Sequence, residues 1–543
     1  MGPTRRRFGL LLLLAAVPPT LEAVVLVGIG YRGALGLPPQ ATAVWPYDSY
    51  HDLRWIFVYH DSVLGFIMEF VAVAAVRGLL TAALSALAWP PQADRPPFVQ
   101  LIRRNLAIAV ISALIISPWA ALSVAFSAVA LSWYLFASLI PMLVLSPFLQ
   151  RAVVTSRWWR GLPTLELFGW SLLNFAVLTV AGALATSGPS WWAVPAAAIA
   201  GIANGLLWQR VVAASVLPAR IRLPRVPVTP AVVVLTMAAA VAAQSVIGIA
   251  AGGEREWWPP IVSEHLPERV PHAVIVVAGH DTNWDGRPPA DPRVERFSYR
   301  GLDDQQRPLP YGPAATHRSL GSSAAVLAAQ VEAVHRRTGR PVALLGESEG
   351  AMVVRTYLGR WPMTPVTAAL MFSPLVRPGR AYYPPPGYSG FGVVVGWELR
   401  AIFAASNVFR AVKVSPDEPF VRSVIANAPF YRTRTLCPVA GVRIVAFLPT
   451  VSAAEAPPGE YARIPVVQMP AFHGGLIGRQ AAHERVIDFL AGESVQLPRR
   501  EYPLLQRFGA AWQAPPLALR INPIWAAARE ADPGFTGHIC EGR

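Results

Sequence analysis

Five consecutive residues, Gly346-Glu347-Ser348-Glu349-Gly350, carry the sharpest chemical signal in the chain. A serine hydroxyl is a poor nucleophile unless a bend exposes it and a base activates it. The preceding PVALL reads as a buried strand and the following AMVVRTYL as a helix. A serine on such a strand-to-helix turn is strained, and small residues on either side let the backbone fold that tightly. The same turn aims the unpaired N–H groups and positive end of the helix at the reacting oxygen. With 41 glycines in 543 residues the five-residue pattern alone is weak, so its flanking elements carry the inference.

The base is expected to be His473, in Phe472-His473-Gly474-Gly475-Leu476, which follows the last predicted strand. Of the other histidines, His272 begins a strand, His335 and His483 sit on helices, and His538 lies in the tail. Glu347 and Glu349 flank the serine, and a carboxylate beside a developing oxyanion is unfavourable. Their side chains are therefore expected to point away, one to the sheet edge and one to solvent; a pH-tuned role in substrate choice is the alternative. Asp281 and Asp285, four residues apart beside Trp284, could bind a cation, but no histidine or cysteine cluster accompanies them in sequence. No metal and no cofactor are expected.

These residues need a scaffold, and the second half of the chain supplies one. Valine-rich runs at His272–Gly279, Val294–Tyr299, Pro341–Leu345, Val366–Phe372, Val442–Leu448 and Ile464–Met469 predict strands. Leu320–Arg337, Gly350–Leu358 and Ile477–Leu490 predict helices. Such alternation argues for a mostly parallel sheet covered on both faces. Residues 376–440 interrupt it and read as a cap inserted over the sheet. The tail, 496–543, has no clear pattern.

In the order VIVVAGHDTNWDG, FSYRGLD, GESEG, FHGGL, residues 270–490 resemble the α/β-hydrolase family. The resemblance covers about 40% of the chain. It implies a Ser–acid–His triad in that chain order and an oxyanion hole of two backbone N–H groups. Ser348 would be the nucleophile and His473 the general base. The N–H of Glu349 and that of His280, or of Asp281, would bind the oxyanion. The triad acid is where the chain departs from the family. After the strand that ends at Leu448-Pro449 there is no aspartate, and Glu455 is the nearest carboxylate. Glu460, and then Asp417 or Glu398 from the insertion, are the alternatives.

The first half is of a different kind. The chain is 53% hydrophobic and 15% charged, against about 25% charged in a soluble domain. Apolar runs fall at 8–30, 62–89, 105–126, 128–149, 164–186, 191–208 and 230–251, each near the roughly 20 residues that span a bilayer as a helix. Seven transmembrane helices are expected over residues 1–251, with six as the alternative, and a linker at 252–270. The first run is expected to be a helix kinked at Pro18 and Pro19; a signal peptide is the alternative. Thirteen arginines fall in alternate loops and two, Arg32 and Arg54, in the others. By the positive-inside rule the N-terminus is cytoplasmic and everything after residue 251 is extracytoplasmic. Glu69 and Arg77 lie within the second run. The expectation is that Arg77 snorkels and Glu69 faces a neighbouring helix; a substrate path or proton relay is the alternative. Trp257 and Trp258 suit the lipid–water interface.

The net charge of +15 includes a single lysine, Lys413. Because the basic excess marks loops, it reads as topology and not as a nucleic-acid surface. Cys437 and Cys540 could pair in an oxidising compartment, with two free thiols as the alternative. The fold expected is thus an all-α transmembrane bundle followed by an α/β-hydrolase domain with a cap. The function expected is an extracytoplasmic serine hydrolase of an ester or lipid ester. An envelope acyltransferase using the same triad, and a non-catalytic binding module on a membrane scaffold, remain alternatives.

Overall fold

The computed structural model describes residues 3–125, 133–156, 158–217, 227–236, 257–361, 365–375, 383–408, 413–449, 464–471, 473–495, 507–509, 511–515 and 517. It has two parts: an N-terminal bundle of apolar helices and a C-terminal domain built on a parallel sheet.

The bundle contains α1 (Pro3–Gly28), α2 (Tyr47–Tyr59), α3 (Val63–Ala88), α4 (Phe98–Ala125), α5 (Trp133–Val154), α6 (Leu165–Ala185) and α7 (Ala193–Val216). Among the described residues five helices are long and apolar enough to cross a membrane, at Arg5–Gly28, Val63–Ala88, Phe98–Ala125, Leu165–Ala185 and Ser190–Val216. The apolar α5 adds 22 residues to them. Of the expected seventh span, 230–251, only residues 230–236 are described, and they are helical. The expected turn near residue 127 lies outside the described residues. Helix α1 runs through Pro18 and Pro19 and packs tightly on α7. A Cβ on Gly201 of α7 would lie 2.6 Å from the Ala15 carbonyl oxygen of α1. Small residues at such positions let two backbones approach in an apolar medium.

The segment between α1 and α3 is not a free loop. Helix α2 folds back into the bundle, with Tyr47, Asp48, His51, Leu53, Arg54 and Phe57 buried. This overturns the snorkelling expected of Arg77. Arg77 Nη2 donates to Asp52 Oδ1 of α2 at 2.6 Å, and its guanidinium also reaches the Ala41 carbonyl. A second chain of contacts continues through His51, which lies 2.9 Å from Asp52 and 3.1 Å from Glu22 of α1. Pairing of this kind is the ordinary way to keep an ionised group at membrane depth. Glu69 is exposed on α3 and does not face a neighbouring helix.

The sheet has six strands: β1 (Ala273–Val277), β2 (Val294–Arg296), β3 (Val342–Glu347), β4 (Val366–Phe372), β5 (Arg443–Pro449) and β6 (Val466–Met469). Their order is β2-β1-β3-β4-β5-β6, and every pair is parallel. Because side chains alternate along a strand, each strand feeds two cores. Ile275, Val277, Leu344, Ala369 and Met371 pack with Leu327, Val331 and Val334 of α8 (Leu320–Thr338) and Val353 and Val354 of α9 (Glu349–Arg360). Val274, Val276, Ala343, Leu345, Leu370 and Phe372 face the other way, toward Val486, Phe489 and Leu490 of the closing helix.

Between β4 and β5 the insertion forms α10 (Val393–Asn407), α11 (Pro419–Ala426) and α12 (Ala428–Arg434), and α13 (Gln480–Leu490) closes the domain. The insertion does more than cover the sheet. Its Tyr383, Val395, Leu399 and Ile425 share one core with the helix bundle. His60, just after α2, accepts from the Val394 N–H at 2.8 Å, and Ser117 of α4 donates to Glu398 at 2.7 Å. The tail also enters the bundle. Trp512 stacks on Phe175 with ring centroids 4.7 Å apart and donates from Nε1 to Thr179 at 2.9 Å. Arg54 and Gln40 hold the carbonyls of Gln513 and Ala511. Trp257 and Trp258 pack against the sheet core. Both stack on the buried guanidinium of Arg296, at 5.3 and 5.7 Å from the ring centroids.

Candidate active site

In a parallel sheet, ligands bind beyond the carboxyl ends of the strands where the chain changes direction along the sheet. Here that point lies between β1 and β3, because β2 adds to one side of β1 and β3 to the other. His280 follows β1 and Ser348 follows β3.

Ser348 occupies the turn between β3 and α9 with φ +53° and ψ −113°, a region that L-residues rarely enter. Its N–H donates to the Phe372 carbonyl at 2.9 Å, which anchors the bend to β4. The two flanking glycines are sterically required. A Cβ on Gly346 would lie 2.7 Å from the Ala351 nitrogen, and one on Gly350 2.7 Å from the Val277 carbonyl carbon of β1. Ser348 is half-buried, and its Oγ lies 2.8 Å from Nε2 of His473, 125 residues away. His473 follows β6, as the sequence predicts. Burial by the surrounding protein lowers its pKa to about 4. The imidazole is therefore neutral near pH 7, the form that can take a proton.

Among the described residues nothing accepts a hydrogen bond from Nδ1 of His473. Glu455 and Glu460 lie outside the described residues. The two candidates from the insertion are engaged elsewhere. Asp417 is paired with Arg400 at 2.6 Å and with Arg422, and Glu398 accepts from Ser117. Neither orients His473. Among the described residues the N–H groups of Glu349, the first residue of α9, and of His280 also have no acceptor. The Asp281 N–H donates to Thr316 at 3.0 Å, so of the two alternatives for the second donor only His280 is free.

The glutamates beside the serine do not point to the sheet edge or to solvent. Both are buried, because the tight packing of α9 on β1 and β3 leaves their positions inside the domain. Glu347 Oε2 accepts from Trp257 Nε1 at 2.5 Å, and burial still pushes this carboxyl up to about 8. The folded protein thus holds a proton that the unfolded chain releases near the ordinary carboxyl pKa. Between pH 6.5 and 8 this lowers stability as pH rises, by about 1–2 kcal/mol. The shift of His473 has the opposite sign, acts mainly between about pH 4 and 6.5, and is common to wild type and the Glu347→Gln variant. Glu347→Gln is expected to raise the unfolding midpoint at pH 8 relative to wild type and to leave a smaller difference at pH 6.5. Equal differences at both pH values in thermal melts would contradict a protonated Glu347.

Glu349 accepts from Nδ1 of His280 at 2.8 Å. Nε2 of His280 lies 2.9 Å from Glu418, whose other oxygen is 3.1 Å from His317. Sequence reasoning found only the backbone of His280 and missed His317 and Glu418. No local spacing signals them, since they come from three segments 37 and 101 residues apart. Asp281 pairs with His317 at 2.7 Å, so a histidine does accompany it. Asp285 is exposed and caps the Arg287 N–H. Cys437 is disulfide-bonded; Cys540, the other cysteine of the chain, lies outside the described residues. His483 is buried on α13, 3.3 Å from Glu264, and has no surface role.

No protein-family model, no curated protein and no solved structure matches this chain. The fold itself defines the class: a bundle of membrane-length helices fused to a parallel α/β domain consistent with a general α/β-hydrolase-like fold.

Proposed function

We propose that the protein is a membrane-embedded serine hydrolase that cleaves an ester through an acyl-serine intermediate. The observation that carries the reading is the 2.8 Å contact between Ser348 Oγ and His473 Nε2 at a strained turn opening α9. Ser348 Oγ attacks the ester carbonyl carbon as His473 takes its proton. The oxyanion is held by the N–H groups of Glu349 and His280, at the positive end of α9. The tetrahedral intermediate collapses, and His473 returns the proton to the departing alcohol. Water, deprotonated by His473, then releases the acid and regenerates Ser348. Glu455 is the carboxylate proposed to hold Nδ1.

A lipid-like ester is the favoured substrate class. Tyr388, Trp397 and Val408 of the insertion expose large apolar side chains beside the bundle. The C-terminal domain meets the bundle at His60, at the end of α2, and at Ser117, near the end of α4. Among the described residues Arg95, Arg103, Arg104, Arg151, Arg160 and Arg210 lie toward the opposite helix ends. By the positive-inside rule this supports a cytoplasmic N-terminus and an extracytoplasmic hydrolase domain.

The test is labelling of the full-length protein in detergent with a fluorophosphonate probe. Wild type is expected to label with one equivalent, and Ser348→Ala, folded by circular dichroism, with none. Labelling that survives Ser348→Ala, or a folded wild type that does not label, refutes the reading.

A further inference from the structure

Beside the Ser348–His473 pair, two imidazoles and three carboxylates converge in a way that their protons alone do not satisfy. Glu349, fully buried, faces Nδ1 of His280 at 2.8 Å, and Asp281 faces Nε2 of His317 at 2.7 Å. An ionised carboxylate accepts only, so with Glu349 and Asp281 ionised both of these outer ring nitrogens carry hydrogen. The inner nitrogens are then left with lone pairs. Each of them faces another acceptor, since Glu418 Oε1 lies 2.9 Å from Nε2 of His280 and Oε2 lies 3.1 Å from Nδ1 of His317. Glu418 is 8% exposed, and its Oε2 makes no hydrogen bond of acceptable geometry.

Protonating both inner nitrogens would stack two imidazolium rings with centroids 4.8 Å apart. Like charges that close repel, and the surrounding Glu349, Asp281 and Glu418 carboxylates offset that repulsion only as ionised groups that must themselves be buried. One divalent cation answers both lone pairs and the carboxylate together. The ligand atoms of His280, His317 and Glu418 all lie within 4.8 Å of one another. We propose that His280, His317 and Glu418 form a binding site for a divalent transition metal ion, with zinc best suited to the two-imidazole, one-carboxylate set. Glu349 and Asp281 occupy the positions of outer carboxylates. Each holds a ligating imidazole in the tautomer that points its lone pair at the metal.

The three ligands come from the loop after β1, from the 3-10 turn Pro313–His317, and from the residue that precedes α11. A metal there pins the insertion to the loop carrying the His280 N–H, next to the nucleophile. The metal site is independent of the hydrolase chemistry, and its test does not use activity.

Full-length protein in detergent, stripped with EDTA and desalted, is titrated with Zn²⁺ against a chromophoric chelator, and bound metal is counted by mass spectrometry. One equivalent per chain is expected. His317→Ala and Glu418→Gln are expected to weaken binding by about 100-fold or more, and Asp285→Asn, at an exposed site, to leave it unchanged. Should either variant fail to fold, Co²⁺ loaded into wild type is expected to show the visible absorption of a low-coordinate imidazole site. A folded wild type that takes up less than about a tenth of an equivalent overturns the proposal, as do unchanged affinities in both folded variants or a Co²⁺ spectrum like that of the hydrated ion. Metal uptake without serine labelling would sink the hydrolase reading alone, and labelling without uptake would sink the metal site alone.

Discussion

Replacing His473 with alanine is expected to slow fluorophosphonate modification of Ser348 by about 10²–10⁴-fold, the range that a positioned general base contributes. The imidazole is the one base within hydrogen-bond reach of Oγ among the described residues, at 2.8 Å. Without it the hydroxyl keeps its proton at neutral pH, and only the strained turn and the helix terminus remain to favour attack. The pH profile carries a second signature. Burial alone lowers the imidazole pKa to about 4, and a carboxylate on Nδ1 raises it again. With Glu455 in that place the wild-type labelling rate is expected to fall off well above pH 5, and Glu455→Gln to move the inflection down toward it. A rate in His473→Ala within threefold of wild type would exclude His473 as the base.

Gly350→Ala is expected to destabilise the C-terminal domain by about 3 kcal/mol or more, at the upper end of what one added methyl group does. The new Cβ would lie 2.7 Å from the Val277 carbonyl carbon and 2.8 Å from the Ala278 oxygen. These are backbone atoms of β1 and its exit, so no side-chain rotation relieves the overlap. Helix α9 must shift from the sheet, and the turn at Ser348 shifts with it. A lowered unfolding midpoint and loss of probe labelling are expected together. Gly312→Ala is the control, since a Cβ there meets nothing within 4 Å and its φ of −93° suits alanine. If the two variants melted alike, the close packing at the nucleophile turn would be disproved.

Apolar run length and period were enough to read the two-part architecture from the sequence, because both are local properties. A strand buried on both faces must be largely apolar, as Val342–Leu345 of β3 and Ala368–Phe372 of β4 are, and a bilayer demands about 20 apolar residues in a row. The serine turn was legible for a similar reason: two glycines at fixed distance are the steric condition for that bend. Elsewhere local reasoning failed. Arg77 looked like a snorkelling residue because its partner, Asp52, sits on a 13-residue helix too short and too mixed in composition to read as a membrane span. Glu347 and Glu349 looked like surface residues because charge usually means exposure, whereas Trp257 and His280 reach them from 90 and 69 residues away.

The sequence by itself determined which residue types stand at the carboxyl ends of the strands, and hence which chemistry the chain can attempt. The tertiary structure alone decided which of them meet. It brought His473 to Ser348, diverted Asp417 to Arg400 and Arg422, and gathered His280, His317 and Glu418 from separate segments. The physical reason is that hydrogen bonds and ion pairs act over a few ångströms, and loop closure brings together residues whose separation along the chain leaves no periodic trace.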